Sequence, residues 1–181
     1  MKPRVFIAHG WADDPTQGWI AWLVKQLQAN DIEVVAPAFP NPEKPSVEIW
    51  TNQLAGLICE ADEQTVLVGH SLGVFLILRY LSEPGAQVAG AVLVAGGLPT
   101  HRPELLKELN FESVIKRAAK RICIYSDDDR VVPPERSLEL AKAINAETVL
   151  DSGKRHFSGL RGCNELPSAL NAVLSCLIST P

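Results

Sequence analysis

Disulfide and metal chemistry find little to work with in this chain. Its four cysteines, Cys59, Cys123, Cys163 and Cys176, form neither a C-x-x-C pair nor a Cys/His ligand spacing. Three of them sit among apolar residues and read as reduced core thiols. A surplus of positive charge is also missing. Seventeen Lys+Arg stand against 21 Asp+Glu, a formal net charge of −4, which argues against a phosphate-backbone partner. No apolar run approaches the roughly 20 residues that cross a bilayer. Met1-Lys2-Pro3-Arg4 leads straight into a short apolar run ending at His9-Gly10, without the apolar stretch or cleavage region of a signal peptide. There is no internal repeat, low-complexity tract or linker. What is present is 181 residues, 46% of them hydrophobic, which suits one domain over residues 1–181 with a core of its own. The expectation is a soluble, cytoplasmic protein.

Short apolar runs alternate with helical periodicity from end to end. Val5–Ala8, Val34–Ala36, Thr65–Val68, Ala91–Val94, Arg121–Tyr125 and Thr148–Leu150 read as strands. Between them, Trp19/Leu23/Leu27 and Val47/Trp50/Leu54/Leu57/Ile58/Ala61 mark helix faces, the second with Ser46 as cap. Val74–Leu81 is a third helix. Leu105–Ala119 reads as helical with a break near Asn110, and Leu138/Ala141/Ile144 follow Pro133-Pro134. Leu166 to Leu177 closes the chain as a helix. Pro37, Pro40, Pro42 and Pro45 force an irregular loop. The strands are unalternated apolar runs, as expected where helices cover both faces of a parallel sheet. The fold class is therefore α/β: a mostly parallel sheet of about six strands, with chemistry expected at the strands' carboxyl ends.

The third strand runs into Gly69-His70-Ser71-Leu72-Gly73 and then a helix. This is G-x-S-x-G in the strand–turn–helix setting of a nucleophile elbow. A serine on so sharp a turn is held in strained backbone geometry, and chains pass close enough that glycine is required two residues to either side. Its hydroxyl is left at the foot of a helix, where the N–H of Leu72 can stabilise an oxyanion. A serine nucleophile needs a base and an orienting acid. Asp127, Asp128 and Asp129 follow the fifth strand, and each is a candidate acid. His156 follows the sixth strand. The order Ser…Asp…His is that of α/β-hydrolases. The first strand ends in His9-Gly10-Trp11, and the N–H of Trp11 is the candidate second oxyanion donor. The side chain of His9 braces that loop, and His70 is structural or pocket-lining. His101 is given no role.

At this point the chain resembles a known group, the small serine hydrolases of the retinoblastoma-binding-protein-9 and YdeN type within the α/β-hydrolase superfamily. The resemblance is carried by His9-Gly10-Trp11, Gly18-Trp19-Ile20-Ala21-Trp22-Leu23, the elbow at 69–73, Asp128-Asp129-Arg130-Val131-Val132-Pro133 and His156-Phe157. It implies a compact hydrolase fold without a large cap domain. It also implies that the acid is the aspartate of the D-x-V-V-P turn, which is Asp129. Two departures stand out. Similar proteins carry glycine just before the histidine, where Arg155 stands here. The L-x-C-x-E motif tied to retinoblastoma-protein binding is missed, because Leu57-Ile58-Cys59-Glu60 is followed by Ala61, and that partner is not carried over.

The expected activity is that of a serine esterase: hydrolysis of small carboxylic esters, with thioesters or amides as further candidates, through an acyl-enzyme on Ser71. No metal or organic cofactor is implied. The expected partner is a small acyl substrate, not nucleic acid or membrane, and the expected state is a monomer, with a weak dimer as the alternative. The rival class is a protein-interaction module on a hydrolase scaffold. Trp19 is expected to pack, whereas Trp11 and Trp22 are left open between packing and substrate contact. Lys116, Arg117, Lys120 and Arg121 are expected to be a solvated, dipole-complementing helix end. The loop Pro37–Pro45 and the segment Gly97–Asn110 are the expected pocket walls.

Overall fold

The computed structural model describes residues 2–99, 103–159 and 162–178. Six strands form one sheet: β1 (Arg4–Ala8), β2 (Glu33–Val35), β3 (Thr65–His70), β4 (Val88–Val94), β5 (Ala118–Tyr125) and β6 (Glu147–Leu150). Their order is β2-β1-β3-β4-β5-β6, and every neighbouring pair is parallel. The helices are α1 (Gly18–Ala29), α2 (Val47–Ile58), α3 (Leu72–Ser82), α4 (Pro103–Leu106), α5 (Phe111–Arg117), α6 (Pro134–Ala143) and α7 (Pro167–Ile178).

Successive side chains of a strand point to opposite faces, and the core divides accordingly. Val5, Ile7, Val66, Val68, Val92, Val94, Ile122 and Ile124 pack with α1 and α7. Phe6, Ala8, Leu67, Ala91, Leu93 and Cys123 pack with α2, α3, α5 and α6. Trp19, Leu23 and Leu27 are buried on one face, Trp50, Leu54 and Ile58 on the other. Each fully buried leucine contributes about 1.5–3 kcal/mol relative to an exposed one. No helix among the described residues is long and apolar enough to cross a membrane.

The elements differ from expectation at their edges. β4 and β5 each begin three residues early, because Val88 and Ala118 pair across the sheet. Tertiary pairing takes Ala118 and Ala119 out of the helix that their composition favours. Asn110 marks the break as foreseen: its side chain caps α5 by accepting from the Ser113 N–H at 3.0 Å. Of the basic run, Lys116 is an exposed cation in the last turn of α5, as expected, but Lys120 and Arg121 lie in β5. Arg117 is buried, its guanidinium donating to the carbonyls of Tyr80 and Glu83, both at 2.7 Å, and of Ala86 at 3.1 Å. Only Cys123 and Cys176 are core thiols; Cys59 is exposed and Cys163 half-buried. Burial pushes both core thiols up to about 12, which leaves them inert as nucleophiles.

The strand order fixes where a site can lie. The chain leaves β1 toward β2 on one side, then returns to β3 on the other side of β1. A crevice opens at the carboxyl ends of strands where connections diverge in this way. Here it lies between the turn after β1 and the turn after β3.

Candidate active site

Ser71 joins β3 to α3 with φ +52° and ψ −115°. A non-glycine residue held at positive φ costs of order 1–3 kcal/mol and persists only where its surroundings fix it. They do so here. The Ser71 N–H donates to the Val94 carbonyl at 3.0 Å, and the Ser71 carbonyl accepts from Val74 N–H at 3.0 Å. A Cβ on Gly69 would lie 2.7 Å from the nitrogen of Val74, and one on Gly73 would collide with the Ala8 carbonyl. Both elbow glycines are therefore steric necessities. Leu72 is the first residue of α3, whose leading N–H groups have no acceptor within the helix.

Three predicted residues from distant parts of the chain meet at this turn. His156 Nε2 lies 2.9 Å from Ser71 Oγ. Its Nδ1 lies 2.8 Å from Asp129 Oδ2. A carboxylate only accepts, so Nδ1 carries the proton and Nε2 presents a lone pair to the serine hydroxyl. The other oxygen of Asp129 accepts from the N–H groups of Val131 and Val132 at 2.8 and 3.0 Å. Asp129 is only 5% exposed.

The neighbouring aspartates do different work. Asp128 Oδ1 accepts from Ser126 Oγ at 2.8 Å and from the Arg155 N–H at 2.7 Å. Asp127 accepts from the Ser152 hydroxyl at 2.6 Å and the Gly153 N–H at 3.0 Å, and these bonds hold its carboxyl below the ordinary value. Together they staple the loop after β6 to the loop after β5, which sets where His156 can reach.

The turn after β1 completes the surroundings. A Cβ on Gly10 would lie 3.1 Å from Ser71 Cβ, so this backbone runs against the serine and carries the N–H of Trp11 beside it. His9 braces the turn: Nδ1 donates to the Gly10 carbonyl at 2.8 Å, and Nε2 accepts from Phe39 N–H at 3.0 Å. His70 is buried under the Trp19 ring, with ring centroids 5.7 Å apart. Trp22 packs against the α1/α7 core, half-buried.

Sequence reasoning missed one partner here, Asp13. Its Oδ2 lies 3.0 Å from His70 Nδ1, while His70 Nε2 lies 2.9 Å from the carbonyl of His156. Both ring nitrogens face acceptors, so the ring satisfies both only when it carries both protons. Burial pushes the Asp13 carboxyl up, but the bond and charge of His70 outweigh it and leave the carboxyl below its ordinary value. A second aspartate–histidine pair thus tethers the His156 backbone. Nothing in the sequence flagged it, because Asp13 and His70 are 57 residues apart.

A cavity of about 660 Å³ opens over Ser71 and His156. Its walls are not the expected ones. Among the described residues, neither 37–45 nor 97–110 lines it; the turn at 10–13 and the loops around 128–131 and 155–158 do. The first stretch is drawn aside by aromatic packing. Phe39 stacks on Trp50 at 4.8 Å, and Trp50 Nε1 donates to the Pro40 carbonyl at 2.8 Å. Trp11, 61% exposed, lines the cavity, with its Nε1 tied to the Glu43 carbonyl at 3.1 Å. In the second stretch, Gly97 packs against Val132 and Arg136. His101 and its neighbours at 100–102 lie outside the described residues.

Comparison with known proteins gives the family and the fold. Residues 5–175 match the serine hydrolase family. The chain belongs to that family. It is 33% identical to the protein YdeN of Bacillus subtilis strain 168 over 97% of this chain and 96% of that one. It is 26% identical to the serine hydrolase RBBP9 of Rattus norvegicus, over 86% and 87% of the two chains. The crystal structure of the B. subtilis ydeN product superposes with a TM-score of 0.89, covering 98% of this chain and all of that one, at 32% identity. A carboxylesterase of the thaumarchaeon Nitrososphaera gargenis shares the fold, with a TM-score of 0.73 at 12% identity over 98% and 91% of the chains. This serine hydrolase thus has the α/β-hydrolase fold expected from its motifs, built on six parallel strands.

Proposed function

We propose that the protein hydrolyses small carboxylic esters through an acyl-enzyme on Ser71, with His156 as base and Asp129 as its orienting acid. The reading rests above all on the unbroken line from Ser71 Oγ through His156 to Asp129, with contacts of 2.9 and 2.8 Å. In the acylation step, Ser71 Oγ bonds to the carbonyl carbon as its proton passes to His156 Nε2. That proton then goes to the leaving alkoxide as the ester C–O bond breaks. Water repeats the sequence on the acyl-enzyme and releases the acid. The N–H groups of Leu72 and Trp11 receive the oxyanion. Gly69 and Gly73 keep the elbow tight. Esters stand ahead of amides because an alkoxide leaves more readily than an amide nitrogen; thioesters, whose thiolate leaves at least as readily, are the next candidates. A small acyl substrate is the partner this assigns, and no step calls for a metal or organic cofactor.

Labelling with a fluorophosphonate probe, read beside turnover of a panel of activated esters, tests the reading. Ser71→Ala is expected to lose the label and on the order of 10³-fold or more in kcat. Equal labelling of variant and parent, or silence of the folded parent across the whole panel, rejects it.

A further inference from the structure

Two arginines stand at the cavity mouth, and the proposed chemistry uses neither. Arg130 follows Asp129 directly, and Arg155 precedes His156 directly; both are exposed and line the cavity. Arg155 also sits at φ +52°, a left-handed conformation that glycine adopts freely and a side chain does not. The backbone therefore favours glycine there, and the sequence supplies a guanidinium instead.

The charges around the mouth are unequal in what they leave unsatisfied. Asp13 is engaged by His70 and by the Asp14 N–H at 3.0 Å. Asp128 is engaged by Ser126 and the Arg155 N–H, and Asp129 by two backbone N–H groups and His156. Neither guanidinium forms an ion pair or hydrogen bond with any described residue. Arginine presents planar, paired donors that match a carboxylate. The same rim carries the apolar surfaces of Trp11 and Val131, 61% and 67% exposed.

Resting on the esterase reading, the geometry points to a substrate-binding subsite formed by Arg130 and Arg155 that selects small esters bearing a free carboxylate. An ester of a dicarboxylic acid places that carboxylate on the acyl side. An ester of a hydroxy acid places it on the leaving-group side. The apolar rim takes the chain between carboxylate and ester, and hydrolysis with water releases the acid and the alcohol.

Two matched substrate pairs test this. On the acyl side, the mono-p-nitrophenyl ester of hexanedioic acid is compared with p-nitrophenyl 6-methylheptanoate, which replaces the carboxylate by an isopropyl end. On the leaving-group side, the butyrate ester of 4-hydroxybenzoate is compared with that of its methyl ester. The readout is the ratio of kcat/KM, anionic over neutral, in the parent and in Arg130→Gln/Arg155→Gln. In at least one pair the double substitution is expected to lower the ratio about tenfold, mainly through KM, as two partly screened ion pairs would. Raising salt from roughly 50 to 500 mM is expected to lower the parent's ratio in the same pair. The single variant Arg155→Gly is expected to lose part of the preference while unfolding at a higher temperature, since it relieves the backbone. Ratios unmoved by the double substitution in both pairs overturn the subsite while leaving the esterase reading intact. Turnover of none of the four esters by the parent overturns both.

Discussion

The two ends of α3 carry the most demanding local chemistry in the molecule, and they meet the demand in opposite ways. At the amino end, Ser71 is strained at positive φ and its hydroxyl faces an open cavity. At the carboxyl end, the last carbonyls of the helix have no partners within it. The guanidinium of Arg117 closes that end by binding the Tyr80 and Glu83 carbonyls and lying 4.9 Å over the Tyr80 ring. One end leaves a hydroxyl facing a cavity; the other commits Nε and Nη1 of a guanidinium to three structural bonds. The positive-φ residues divide along the same line. Asp31 and Asn145 lie just beyond helix ends, and Cys59 caps α2, where left-handed residues finish helices. Ser71, Ala95 and Arg155 lie beyond strand carboxyl ends, where no helix end requires them. The same backbone signal thus finishes helices at one end of the sheet and, at Ser71 and Arg155, shapes the cavity lining at the other.

The sharpest way to break this division is at Asp129. If only the acid that orients the imidazole matters for chemistry, Asp129→Asn lowers kcat by about 10⁴-fold. Asp127→Asn, which loosens only the loop staple, changes it by less than about tenfold. Asp128→Asn falls between them, since it weakens the bond to the Arg155 N–H. Steady-state kinetics on the three variants decides; a crippled Asp128→Asn beside a mild Asp129→Asn moves the orienting role by one residue. At the other end of the helix the prediction reverses. Arg117→Met removes the three hydrogen bonds of a buried guanidinium and is expected to lower unfolding stability by about 3 kcal/mol. For a chain of this length that is a fall in Tm of about 10 °C. The kcat of the folded fraction is expected to stay within about twofold of the parent. A large loss of kcat at unchanged Tm would erase the distinction between the two ends.

The sequence carried the fold well because its signals are local. Unalternated apolar strands, helix stripes and the G-x-S-x-G turn each lie within a dozen residues, and Ser46 and Asn110 announce the helix starts they cap. Ser71 and His156 were legible for the same reason, each following a strand directly. Choosing among three adjacent aspartates was not possible from the residues alone, since all three follow β5 and differ only in the direction each side chain takes. The pocket walls were misplaced because proline content marks a loop without saying where it packs; the Trp50–Phe39 stack decides that. Arg117 looked like a surface cation because its acceptors belong to the end of another helix and the turn after it, over 30 residues away.

His9 gives the smallest and most specific test, because it sits among the strained turns yet acts as a brace. Burial is the main force on its ring and lowers its proton affinity below the ordinary value of 6.5, against the opposing pull of the Gly10 carbonyl and the charges of Asp13 and Asp14; His70 pushes the same way as burial. Protonation would also break the bond that Nε2 accepts from Phe39. The unfolded chain therefore takes up a proton as pH falls through 6.5, while the folded chain does not. Stability from this group is complete above that pH and declines below it until the lower folded value is reached. One proton limits the slope to about 1.4 kcal/mol per pH unit. Urea unfolding of the parent and of His9→Gln between about pH 5 and 8 isolates this contribution, since the two proteins share every other ionisable group. The variant is expected to be less stable near pH 8 and to show a shallower decline on acidification. Parallel curves would mean that the His9 ring does not change its proton between those limits, and that the turn after β1 is held by its backbone alone.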